Sequence, residues 1–551
     1  MRRRLLVSAS LAVLLHALAL AQPAPRSPGR YSISGVMVSA STGQPLDHAD
    51  VSLHTPMRDT LVAETTTGPD GRFVFEHLAA GKYSLAASRR GYVSAAYDEH
   101  EGYATAIVTG EGLTSDGLTF RLFPRAVIRG TVSDDSGDPV PQARVSLYRQ
   151  SLRNGLGNII RAGSTISDDT GAYEFARLEA GNYYVAVNAT PWYATWPQAR
   201  RDSQENAASD EQQSPLDVAY PTTFYADVTD SDSATPIPVK AGDQVQVNVT
   251  MHAVPAVHLS VQVPSSAGRF FAFPQLTQDV FGLSETAQPG MSYMRGMRES
   301  GNDAQTTTVE FSGVAPGQYS VDLRGGGDSS RSTSVDATSD TRIDLSQGSG
   351  MADVSGKVAM AGGDEFPEDL TISLRSPEGR YGGDARVNAD GSFSLHGTAP
   401  GNYEVWVTAR GTSLAVTHLT ATGAATDGNV VKIGSAPVAI SATIADGAAT
   451  VNGFARRDDK AAAGVMVLLV PKNPGAEREM FRRDQSDSDG SFQFNRVVPG
   501  EYTVVAIEDG WTLDWARAEV ISHYVAKGLK VTVPAHMKEF AIRGSVAVQP
   551  K

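Results

Sequence analysis

Cysteine is absent from the 551-residue chain. That excludes disulfides, thiolate metal sites and a lipid joined at a signal-peptide cysteine, so each domain must be held by its core alone. Positive charge is in deficit: 47 Lys and Arg face 61 Asp and Glu, a formal net charge of −14. No basic stripe able to displace phosphate counterions is present, which argues against a nucleic-acid partner. Aromatics are modest at 7%. After the N-terminus no apolar run is long enough to cross a membrane as a helix. The single apolar run lies in "MRRRLLVSASLAVLLHALALAQ", behind three arginines and ahead of the small residues Ala19 and Ala21. This three-part order predicts a secretory signal over 1–21, a linker over 22–30 and export to the periplasm, the cell surface or the medium.

What the chain has in quantity is a repeat. "DGRFVFEHLAAGKYSL" at 70–85 returns as "DGSFQFNRVVPGEYTV" at 489–504. The pattern D-G-x-F-x-F-x-x-L-x-x-G-x-Y recurs at Gly171, Tyr173, Phe175, Leu178, Gly181 and Tyr183, with Thr170 in place of the Asp, and at Asp390, Gly391, Phe393, Leu395, Gly401 and Tyr403. A weaker copy keeps Val309, Phe311, Val314, Gly317 and Tyr319. Copies about a hundred residues apart are spaced as domains are, not as solenoid repeats. Asp-Gly supplies a tight turn entering a strand, and alternating apolar residues place one face on a core. Ahead of the copies, Ile33-Ser-Gly35-Val, Ile128-Arg-Gly130-Thr-Val, Val354-Ser-Gly356-Lys-Val and Val451-Asn-Gly453-Phe read as first strands. Leu118–Leu122, Val245–Val249 and Leu529–Val533 read as closing strands. The prediction is all-β: about five tandem antiparallel Greek-key β-sandwich domains. Their expected bounds are 31–123, 124–252, 253–349, 350–446 and 447–536, with a tail over 537–551.

The combination I-x-G-x-V, G-x-P-L…A-x-V-x-L and D-G-x-F-x-F-x-x-L-x-x-G-x-Y resembles the carboxypeptidase regulatory-like domain. The resemblance implies a transthyretin-like (prealbumin-like) sandwich, close in shape to Cna-B-type surface modules and starch-binding-like domains. Such domains are joined to many unrelated proteins, TonB-dependent receptors among them, so the likeness speaks to fold and little to function.

The residues argue against catalysis. No His is followed three residues later by Glu, and no H-E-x-x-H, G-x-S-x-G, P-loop or dinucleotide fingerprint occurs. "DEHEGY" at 98–103 would divide Glu99, His100 and Glu101 between two strand faces. The Asp-rich turns holding Asp168, Asp169, Asp484, Asp487 and Asp489 lack a complete calcium-loop spacing and read as solvated turns. Some Cna-B relatives carry Lys–Asn isopeptide bonds, but only Lys357 lies in a candidate first strand, where an exposed strand residue is expected. No cofactor, metal or catalytic residue is expected. The binding candidates sit in an insertion of the second repeat: Trp192, Tyr193 and Trp196, then Tyr220, Phe224 and Tyr225 beyond the polar stretch 202–214. Planar rings on a loop suit sugar faces or protein hot spots, and equally a minor core beneath a loop. In the fifth repeat Trp515, Val520, Ile521 and Tyr524 have helical spacing, closed by Gly528, which predicts a short amphipathic helix across the sandwich edge. The expectation is an exported non-catalytic binding protein at the cell envelope whose partner is carbohydrate. The alternatives are a structural or adhesive spacer that binds a cell-envelope protein, and an accessory of an outer-membrane uptake system.

Overall fold

The structure, a computed structural model, describes residues 29–551 except 57–58, 154, 197–213, 265–273, 288, 296–305, 324–330, 346–350, 362–364, 377–380, 412–413, 448, 476 and 536. The predicted signal peptide lies outside the described residues. The rest is built almost wholly from strands, in five sandwiches with five separate cores.

The two recurring sequence motifs meet across a strand pair. In the first sandwich, Gly35 of strand Tyr31–Ser39 stands directly opposite Phe73 of strand Arg72–Leu78. The same pairing joins Gly130 to Tyr173, Gly356 to Phe393 and Gly453 to Phe492. The aromatic ring reaches over the glycine: a Cβ on Gly453 would stand 2.5 Å from Phe492 Cζ. At Gly35, Gly130 and Gly356 a Cβ would meet the backbone carbonyl of the parallel closing segment first (Leu118, Val247 and Ile440, at 2.4, 1.6 and 2.0 Å), so the glycine admits both that segment and the ring.

The x-x between Phe75 and Leu78 has its own cause. Three-residue spacing breaks strand alternation, yet both side chains are buried. A β-bulge restores the face, with His77 at φ 59°, Arg177 at 65° and Arg496 at 57° as the extra residues; the third and fourth sandwiches use Gly313 and Gly397 there. Five residues past Leu78, the motif tyrosine closes the corner. Tyr83, Tyr183, Tyr319, Tyr403 and Tyr502 each donate their hydroxyl to the carbonyl four residues upstream, at 3.0, 3.0, 2.9, 2.9 and 2.6 Å. The third repeat therefore keeps the corner although it lacks the Asp-Gly turn.

The first four sandwiches are mainly antiparallel with a parallel closing segment: Leu118–Leu122 runs beside Tyr31–Ser39, Gln244–Gln246 and then Val249–Met251 beside Ala126–Asp134, Thr341–Asp344 beside Val257–Pro264, and Val438–Asp446 beside Ala352–Met360. The fifth departs from expectation. Leu529–Val533 pairs antiparallel with Gly500–Ile507 in the other sheet, where Ile107–Thr109 sits in the first sandwich. Glu539–Ala541 and Val546–Gln549 run parallel to Ala449–Arg457, so residues 539–549 complete the fifth sandwich rather than trail from it. Alternation in Leu529–Val533 marks a strand but cannot say which sheet receives it.

The predicted helix forms over Ala518–Val525, with Gly528 N–H closing on the Val525 carbonyl at 3.1 Å. It covers the outer face of the second sheet instead of crossing the edge. Ile521, Trp511 and Trp515 pack there on Met466, Leu468 and Val505.

Candidate functional site

The aromatic insertion is divided between two jobs. Trp192 is 82% exposed and meets the half-buried Tyr193 edge to face at 5.7 Å and 90°. Tyr220 lies beside Tyr193, and burial first, then Tyr193, pushes its phenol pKa up. Tyr220 is buried in the core of the second sandwich, and Tyr225 packs against that core. Trp196 and Phe224 face the third sandwich. The Trp196 indole donates to the Val218 carbonyl at 3.0 Å and rests on Gly313, where a Cβ would stand 2.1 Å from the ring. Phe224 is 1% exposed and its ring lies 5.4 Å from that of Phe281. Trp192, Tyr193 and Tyr220 are thus brought together, while Trp196 and Phe224 join two domains. The polar stretch 202–214 lies outside the described residues apart from Ser214.

A second constellation brings together residues almost four hundred positions apart, because the first sandwich packs on the fifth. Asp487 accepts from Lys82 Nζ at 2.5 Å and from the Ala106 amide at 3.1 Å, and Ser488 accepts the Val108 amide at 2.8 Å. Gln485 donates to Thr105 Oγ1 at 2.7 Å. The Arg483 guanidinium lies between Tyr103 and Trp511, 4.4 and 4.7 Å from the ring centres, and donates to the His100 carbonyl at 3.0 Å. His100 stacks on Trp511 at 4.8 Å and 7°. Burial raises the Asp487 carboxyl above its ordinary range, against the pull of Lys82, and raises Asp484 to about 7. This seam uses residues of both "DEHEGY" and the Asp-rich turn.

The other turn carboxylates serve their own backbone. Asp168 accepts from the Thr170 and Ala172 amides, both at 2.9 Å, and those bonds with that from the Thr170 hydroxyl hold its pKa below the usual value. Asp390 does the same for Ser392. Lys357 is exposed. Among the described residues, no three His, Asp or Glu side chains gather as a metal-holding group, and no helix is long and apolar enough to cross a membrane.

Residues missed by sequence reasoning are those that touch across domains, such as Phe281, Glu285, Arg483 and Gln485. A signal existed for one: Phe281-Gly282 forms the apex between two strand patterns, a place where an apolar ring is out of character.

Residues 32–122 and 127–252 match the family model of the carboxypeptidase regulatory-like domain. The chain carries two carboxypeptidase regulatory-like domains in tandem. A third stretch, 450–531, matches the second β-sandwich domain of BOS complex subunit NOMO1-like proteins. No curated protein matches the chain. Solved structures with some likeness include the Bacillus anthracis TIE protein, at 9% identity over 77% of this chain and 76% of that one, with a TM-score of 0.18. The minor pilin of Streptococcus agalactiae aligns at 15% identity over 44% of this chain and 100% of its own, with a TM-score of 0.21. The shaft pilin SpaA of Lactobacillus rhamnosus GG aligns at 8% identity over 40% of this chain and 97% of its own, with a TM-score of 0.18. In this chain the two regulatory-like domains play unequal parts: the first reaches back to the fifth sandwich, and the second carries the aromatic insertion.

Proposed function

We propose that the chain is an exported, non-catalytic scaffold of regulatory-like sandwiches that takes carbohydrate at Trp192 and Tyr193. The supporting observation is the exposure of Trp192. Trp511 and Trp515 are 7% and 5% exposed, whereas Trp192 is 82% exposed, with Tyr193 as a wall at right angles. A flat indole beside a phenol suits the apolar C–H face of a sugar ring and a hydroxyl at its rim. The test is a glycan-array screen of residues 22–551 beside Trp192→Ala, with melting curves for both. Trp196 is unsuitable for this purpose because its removal opens the junction with the third sandwich. Binding at least tenfold weaker in an equally stable Trp192→Ala supports the reading. Absence of glycan binding by the folded parent overturns it.

The seam between the first and fifth sandwiches favours a second reading, a structural role in which a protein is the partner. Fixed sandwiches present a defined surface, which a freely jointed array does not. Capture of the same protein by the parent and by Trp192→Ala, with no glycan bound, would select this alternative.

A further inference from the structure

Four sandwiches place a directly opposed pair at the centre of the outer face of the second sheet: Ser52–Ala86, Ser146–Ala186, Ser373–Trp406 and Leu468–Val505. In the second sandwich this pair is covered: Ser146 is 1% exposed and Ala186 0%. The cover is a turn of the third sandwich, between strands Pro274–Val280 and Leu283–Thr286. Its apex ring, Phe281, sits 5.3 Å from Tyr148 and 4.9 Å from Tyr184. Its flank, Glu285, accepts from the Tyr148 hydroxyl at 3.1 Å and pairs with Arg161 at 3.2 Å.

The first sandwich has the same small Ser–Ala pair, but here both residues are half-buried at the floor of an open groove of about 680 Å³. Ser52, Ala86 and Ala96 line its floor, with Asp50, Glu64 and Glu99 around them and no basic residue in the lining. Register converts the two faces into one another and shows the charge inverted. Asp50 stands where the second sandwich has Arg144, Glu64 where it has Ser164, and Leu61 where it has Arg161. A face with Arg144 and Arg161 receives an acidic turn. A face in the same register with three carboxylates, and with His54 and Ser84 in place of Tyr148 and Tyr184, is complementary to a basic segment. The fourth sandwich supplies a precedent on its own outer face, where Arg478 of the fifth reaches Glu404 at 3.4 Å.

We propose that the outer face of the first sandwich's second sheet is a docking site for a turn segment of a partner protein with an apolar apex flanked by Lys or Arg. The probe is the turn this chain already uses: a cyclised peptide of residues 276–287 carrying Asp279→Lys and Glu285→Lys, with the native-sequence peptide as control. Binding to the full chain is followed by fluorescence anisotropy at physiological salt. The lysine peptide is expected to bind and the native peptide not. Ala86→Trp, which fills the groove without changing charge, is expected to weaken binding at least tenfold, and so is Asp50→Asn/Glu64→Gln. Glu365→Gln/Glu368→Gln, two exposed carboxylates of the fourth sandwich, should leave binding unchanged. Melting curves confirm that each variant is folded, and the two groove variants fail independently. No binding of the lysine peptide overturns the proposal. Equal loss in the fourth-sandwich control, or binding retained in both groove variants, overturns it too, by showing general attraction to an acidic protein.

Discussion

The same strand is Asp50-Val-Ser-Leu-His-Thr55 in the first sandwich and Met466-Val-Leu-Leu-Val-Pro471 in the fifth. In the first, only Val51 and Leu53 are buried, and the alternate side chains face an open groove. In the fifth, all six residues are buried, since the outer face carries Trp511, Trp515 and the helix, with the loop of the first sandwich beside them. Alternation marks a sheet with one wet face, and a continuous apolar run marks a strand covered on both. One fold thus supplies both a hub and a free face, and outward side chains decide which.

Breaking the hub should cost most. Trp515→Ala removes a ring that packs on Phe481 at 5.7 Å and is expected to destabilise the fifth sandwich by about 3–5 kcal/mol, measured by denaturant unfolding followed at the remaining tryptophans. The next effect is one of pH. Glu479, 9% exposed at the border with the fourth sandwich, accepts the Val416 amide at 2.5 Å, and burial raises its pKa from 4.5 to about 8. The folded state then keeps a proton that the unfolded chain releases between those values. Its contribution is full below pH 4.5 and lost as pH rises through 8. Stability of the fifth sandwich should therefore fall from pH 6 to pH 9, and Glu479→Gln should flatten that fall; an unchanged slope in the variant would dismiss Glu479 as the source.

Smaller differences sharpen the contrast. Tyr502→Phe removes the 2.6 Å corner bond and is expected to cost about 1 kcal/mol. Tyr83→Phe should cost no more, since its 3.0 Å bond is only part-buried. Melting of the two single variants compares them. Smallest of all, Ser52→Ala on the open face should shift stability by less than about 0.5 kcal/mol.

The sandwiches themselves were legible in the sequence because their determinants are local. Gly35 and Phe73, or Gly453 and Phe492, are each read from a fixed motif, and the two motifs stand opposite one another in the sheet. The continuous apolar run Val465–Val470 is a local sign of a second buried face, whereas the helix with Val520, Ile521 and Tyr524 was expected at the sandwich edge and not over that face. Leu529–Val533, read as a closing strand like Leu118–Leu122 but paired with Gly500–Ile507, shows the limit: alternation gives a face, not a neighbour. The seam was not legible, because Lys82 and Asp487 have no local pattern that couples them. The aromatic insertion was legible as unusual but not as divided, since exposed Trp192 and packed Trp196 are four residues apart and chemically alike.

The central claim is that the chain folds back so that its first sandwich clasps its fifth. Zero-length carbodiimide cross-linking of dilute monomer, read by peptide mass spectrometry, tests it most directly. Lys472 and Glu501, paired at 2.6 Å within the fifth sandwich, are the internal control. The account predicts a Lys82–Asp487 cross-link that disappears in Asp487→Asn. Recovery of the Lys472–Glu501 product without any Lys82–Asp487 product would contradict it and return the chain to an open array.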